Sequence, residues 1–159
     1  MLSAHRVELL ADVRTIPKSR HNPQFNRENL PAPLNAMGIE YLHLPGLGGL
    51  RRPQPNSINT AWRNLSFRGY ADYMQTPEFA ANLARLLELD GTKRVAVMCA
   101  EAVPWRCHRS LIADALTARQ IGVEHIMSAA KAERHTMTSF ARVEGTRVTY
   151  PATQPPLFV

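Results

Sequence analysis

Between Met98 and Leu111 the chain reads MCAEAVPWRCHRSL, placing two cysteines, a glutamate, a histidine and two arginines in one short segment. No other segment is so dense in reactive side chains. Cys99 closes an apolar run, where a thiolate activated by His108, Arg106 or a helix terminus would be a nucleophile. The same position suits an inert cysteine packed as a small apolar residue. Cys107, at the start of the next helix, has a thiol that the helix dipole would acidify, or one that only packs against the loop. Glu101 is a general acid or base, or the partner of Arg106 or Arg109 in an ion pair. A phosphatase-type loop, cysteine then five residues then arginine, misses by one, because Trp105 stands where the arginine belongs. Zinc held by Cys99, Cys107 and His108 would lack the closely paired cysteines of structural zinc sites, and a reversible Cys99–Cys107 disulfide has no CxxC to support it. No metal and no cofactor is assigned.

Three further groups belong with this segment if the sheet is parallel, since ligands collect beyond the carboxyl ends of parallel strands. Asp12 and Arg14 end the first strand, as a proton-handling carboxylate with an anion-binding arginine or as a structural pair. Ser19 and Arg20, beside Lys18, form an anion cradle or a solvated basic loop. Gly48 and Gly49 admit close backbone approach of a ligand, or make a tight turn. Arg109, in the first turn of a helix, is anomalous: a cation there opposes the dipole unless an anion or a carboxylate lies close. Trp62, Tyr70, Tyr73 and Trp105 can stack on bases or fill core.

The elements that must position these residues follow from periodicity. Val7–Val13 and Val95–Cys99 are apolar runs that read as buried strands, the second as a central parallel strand covered on both faces. Ile39–Leu44 alternates as a strand. A short helix is expected around Arg27–Met37, with Pro31 and Pro33 forbidding a regular start and Gly38 ending it. Phe67–Met74 reads as a helix, and Thr76 caps another, with Pro77 at its first position and Phe79, Leu83, Leu86 and Leu87 on its core face. Cys107–Gln120 reads as a helix ended by Gly122, VEHIM as the next strand, and ARVEGTRVTYP as a hairpin turning at Glu144–Gly145. The expected fold is a single α/β domain over residues 1–159, a mostly parallel sheet flanked by helices, with an irregular tail from about 151.

A chain of 159 residues suffices for one such core. The net charge of +6 is carried mostly by arginine, Lys18, Lys93 and Lys131 being the lysines. That suits a polyanionic partner, or reflects a general preference for arginine over lysine. No apolar run approaches the roughly 20 residues that span a bilayer, so no membrane partner is expected. MLSAHRVELL has no leader-like pattern, and two cysteines make no disulfide framework, which points to the cytoplasm.

The segments DVRTIPKSRHNPQFN (12–26), GIEYLHLPGLGG (38–49), FRGYADYMQTPEF (67–79) and MCAEAVPWRCHRSLIA (98–113) resemble the domain of unknown function 488 family, and RHTMTSFARVEGTRVTYP (134–151) is similar too. The resemblance implies a cytosolic bacterial or archaeal α/β domain with no settled reaction. Its signature positions are Asp12, Arg14, Pro17, Ser19, Arg20, Phe25, Gly48, Gly49, Tyr70, Cys99, Glu101, Cys107, His108 and Arg109. It also implies a further strand and a Gly-His-Ser-like turn ahead of the DVR strand, which this sequence does not show. An unpaired strand edge would follow, open to association into a homodimer. Pro31 and Pro33 are a second departure.

The leading expectation is an enzyme acting on a phosphate-bearing substrate, a nucleotide or nucleic acid, by hydrolysis or group transfer. Asp12, Cys99, Glu101 and His108 would carry the chemistry, and Arg14, Ser19, Arg20, Gly48, Gly49, Tyr70, Cys107 and Arg109 would bind substrate. The alternatives are a non-catalytic nucleic-acid-binding module and a metal- or redox-sensing protein using Cys99 and Cys107.

Overall fold

The computed structural model describes residues 1–153. At its centre three short parallel strands lie in the order β2-β1-β3: β1 (Leu9–Asp12), β2 (Glu40–His43) and β3 (Val95–Met98). In register, Asp12 lies opposite His43 on one side and Met98 on the other. The carboxyl ends of all three strands therefore align, and the loops that follow them leave from one edge of the sheet.

Helices cover both faces. Residues alternate along β1, so Leu9, Ala11 and Val13 enter one core with Tyr70, Phe79, Leu83, Leu86, Leu111, Ile112 and Ala115. Leu10 points the other way, into a smaller cluster with Val7, Leu30, Leu34 and Ile39. The helices are α1 (Pro31–Ala36), α2 (Leu65–Tyr73), α3 (Pro77–Asp90) and α4 (Arg109–Thr117). Among the described residues no helix is long and apolar enough to cross a membrane.

Local sequence explains most boundaries. Asn64 caps α2 by accepting from the backbone of Ser66 and Phe67, and Thr76 caps α3 through Phe79 N, with Pro77 at the first helical position. Gly38 takes the left-handed conformation that follows α1 (φ 72°).

Four expectations need correcting. Pro31 and Pro33 do not impede a helix start; they are the start of α1, where the backbone N–H groups have no intrahelical acceptor to lose. β3 is an edge strand, not the central one. Its apolar run reports that both faces are covered, and face coverage says nothing about whether a strand pairs on both edges. The segment after α4 does not extend the parallel sheet: β4 (Glu124–Ile126) pairs antiparallel with β5 (Ala132–Arg134) in a separate ribbon. Helix α4 starts at Arg109 and is left through Gln120, which adopts φ 63°, so Gly122 is not its terminator. The expected hairpin is present as β6 (Arg142–Glu144) and β7 (Arg147–Thr149), with Gly145 at φ 63° in the turn. The tail is irregular through Thr153, and the remainder of that expectation lies outside the described residues.

Candidate functional site

The aligned strand ends bring the expected groups to one edge of the sheet, and their hydrogen bonds divide them into groups that hold one another and groups left open. Asp12 is fully buried, and both of its oxygens are engaged. Oδ1 accepts from Arg14 N at 3.1 Å and Nε at 2.8 Å, and Oδ2 from Arg14 Nη2 and the Tyr41 hydroxyl, each at 2.6 Å. Arg14 Nη2 also donates to Phe25 O. Burial pushes the Asp12 carboxyl upward, but the bonds from Arg14 and Tyr41 outweigh it and hold the group below the usual carboxylate range. Burial and the same carboxylate push the Tyr41 hydroxyl up to about 12. This cluster closes the 15–26 loop onto the sheet, where the Ser19 backbone N donates to Asn26 Oδ1 at 2.6 Å. Arg20 stands exposed on that loop.

The glycines serve packing within the chain. A Cβ on Gly48 would strike the Thr15 hydroxyl, and one on Gly49 would lie 2.5 Å from Nδ1 of His108. Tyr70, fully buried, donates to Leu47 O at 2.9 Å, and Tyr73 to Gly46 O at 2.6 Å. Arg51 stacks 3.6 Å over the Tyr73 ring and donates to Gly48 O. Tyr70 thus fixes the 46–49 turn, with its hydroxyl engaged inside the protein.

Beyond β3 the chain makes a turn over Pro104–Arg106 before α4, and this return brings Cys99 and Cys107 together. Their sulfurs come into contact across eight positions in sequence. Each sulfur also accepts a backbone N–H, Cys99 from Glu101 at 3.3 Å and Cys107 from Arg109 at 3.4 Å. Cys99 is half-buried and Cys107 is 3 % exposed. His108 precedes the helix, its Nδ1 3.6 Å from the Cys107 sulfur and its ring 4.9 Å from that of Tyr70. Burial, helped by the charge of Arg109, lowers His108 to about 4, so the imidazole is neutral near neutral pH. Its Nε2 is buried without a hydrogen-bond partner.

The anomaly at Arg109 resolves within the chain. Its guanidinium folds back onto the Glu101 carbonyl at 2.6 Å, and burial lowers its pKa. The first turn of α4 also bonds internally: Ser110 N donates to Cys107 O and Leu111 N to His108 O. Glu101 is exposed, bonding here through its backbone alone. As a dithiol, Cys99 and Cys107 would offer two sulfurs to a soft cation with His108, the three donor atoms lying within 4.8 Å of one another.

Residues 1–116 match the family model described as domain of unknown function DUF488. The chain belongs to this family. No curated protein and no solved structure matches it. The DUF488 match covers the strand-end cluster and most of α4, and ends before β4.

Sequence reasoning missed a second polar cluster, partly beyond that match. Asp114, fully buried in α4, accepts from His135 Nε2 at 2.8 Å, from Thr138 N at 3.0 Å and from the Tyr150 hydroxyl at 2.7 Å. His125 Nε2 lies 2.9 Å from His135 Nδ1. The available signal was a carboxylate inside the apolar run LIADAL, a position that burial tolerates only with partners.

Proposed function

We propose that this DUF488 protein is a thiol-based redox protein whose Cys99–Cys107 pair cycles between dithiol and disulfide. The observation that carries the reading is the contact of the two sulfurs at the end of β3, with a neutral imidazole against one of them. The backbone N–H bonds to both sulfurs favour thiolates over thiols. Cys99, the more accessible, is the attacking group. Its thiolate takes a sulfur from an external disulfide, such as oxidised glutathione, and releases one thiol. The Cys107 thiolate then attacks Cys99 in the mixed disulfide and releases the second thiol, so two electrons pass to the external disulfide. In the cytosol of a bacterial or archaeal cell, where the reading puts the protein, the glutathione pool keeps the pair reduced at rest.

Thiol titration across a series of glutathione redox buffers tests this. Two thiols should disappear together as the buffer becomes oxidising, and Cys107→Ser should trap Cys99 as a glutathione mixed disulfide. Two thiols that stay free in every buffer would sink it.

A second reading, an enzyme or binding module for a phosphate-bearing ligand, draws support from Lys18 and Arg20, whose side chains make no hydrogen bond or ion pair among the described residues. Arg14 and Arg109 would have to leave internal partners to join them. A thermal-shift comparison of phosphate, mononucleotides and oligonucleotides at two salt concentrations separates the cases. Stabilisation by oligonucleotides alone, vanishing at high salt, marks a nucleic-acid binder.

A further inference from the structure

Helix α4 carries Asp114 between Ala113 and Ala115, all three buried. A carboxylate so placed can only accept, so His135 must donate through Nε2. In its neutral form His135 then presents Nδ1 as an acceptor, and His125, 2.9 Å away, donates to it through Nε2. One lone pair remains at the end of this chain, on Nδ1 of His125. Thr138 N and the Tyr150 hydroxyl complete the carboxylate, so the order is anchored at its buried end.

His125 lines a cavity of about 410 Å³ that runs beside the outer edge of β3, with apolar walls that include Leu34, Met98, Ile112 and Leu116. That volume is within the range of small-molecule sites. Arg109 also lines it, and its buried Nε has no hydrogen-bond partner. A base fixed in one tautomer, an unpaired buried donor and an apolar chamber are the parts that a water-mediated attack on a carbonyl requires.

We infer that His125 is the general base of a hydrolytic site in this cavity, which takes esters of medium-chain carboxylic acids. His125 Nδ1 removes a proton from water while the water oxygen bonds to the carbonyl carbon. Arg109 Nε–H donates to the carbonyl oxygen as it gains charge. The bond from carbon to the alcohol oxygen then breaks, and the proton on His125 passes to that oxygen, leaving acid and alcohol. His135 and Asp114 are positioning residues that set the His125 tautomer. The site uses neither cysteine, so it stands apart from the redox reading.

The test is hydrolysis of p-nitrophenyl acetate, butanoate, hexanoate and octanoate by the full chain. The ratio kcat/KM should rise with acyl length, by up to about fourfold per CH₂ if each methylene is fully buried. His125→Ala, at a half-buried ribbon position, should lower kcat by about a hundredfold or more. Nitrogen-15 NMR of the histidines should find His125 Nδ1 unprotonated near neutral pH. A rate indifferent to acyl length or unchanged in His125→Ala overturns the inference. So does a proton on His125 Nδ1, or a dimer in solution that closes the β3 edge and shows no turnover.

Discussion

Gly49 and His108 come from loops beyond different strands, yet the hydrogen-sized side chain of one is what admits the ring of the other: a Cβ at position 49 would lie 2.5 Å from Nδ1 and 2.9 Å from Cγ of His108. The contact fixes the imidazole beside the Cys107 sulfur, so the glycine turn and the cysteine pair form one unit.

Gly49→Ala should therefore destabilise the protein by about 1–3 kcal/mol, the usual cost of overfilling a packed site. In a His108→Ala background the same substitution should cost close to nothing. Urea midpoints of the four proteins, taken as a double-mutant cycle, check the coupling. An equal cost in both backgrounds would place the strain elsewhere.

Arg14→Ala should be more damaging, by about 3–5 kcal/mol, because it leaves the Asp12 carboxylate buried without its cation. Tyr41→Phe removes one hydrogen bond to the same carboxylate and should cost about 1.5–3 kcal/mol. Chemical denaturation near neutral pH reads both, and the order of the two losses is the expectation at stake.

Acid should weaken the fold in two stages. His108 has its folded pKa depressed from 6.5 to about 4, so the unfolded chain binds more protons between those values and stability falls as pH drops through that window. His108→Gln should flatten this stage. Asp12 and Asp114 are held below 3.8 in the folded state, so the stability they add is complete above that value and is lost only in stronger acid. Urea midpoints followed from neutral pH downward distinguish the stages.

Closing the eight-residue separation between Cys99 and Cys107 should stabilise the oxidised form by about 2–3 kcal/mol on the loop-entropy account. Thermal unfolding of the oxidised and reduced wild type, with Cys99→Ser as the control that shows no difference, measures it. Equal melting temperatures would mean that the reduced unfolded chain is already constrained there.

The sequence by itself marked most of the elements and the segment that carries the cysteine cluster. Apolar alternation and runs marked β1, β2 and β3, Thr76 and Pro77 marked the start of α3, and Glu144–Gly145 marked the hairpin, because these signals are local: a cap, a turn or a covered face is written in neighbouring residues. The spacing of Cys99 and Cys107 also put both in one short segment, without saying that their sulfurs meet. What the tertiary structure decided was pairing. That β3 lies at an edge follows from where β4 goes, toward β5. That Asp12 and Arg14 hold each other follows from Tyr41, delivered by another strand, and Phe25, delivered by the returning loop. That Arg109 closes on the Glu101 carbonyl, and that Asp114 meets His135 and Tyr150, depends on the path of the chain between them. Hydrogen-bond partners distant in sequence are fixed only when packing brings the backbone to within about 3 Å, and no local pattern encodes that approach.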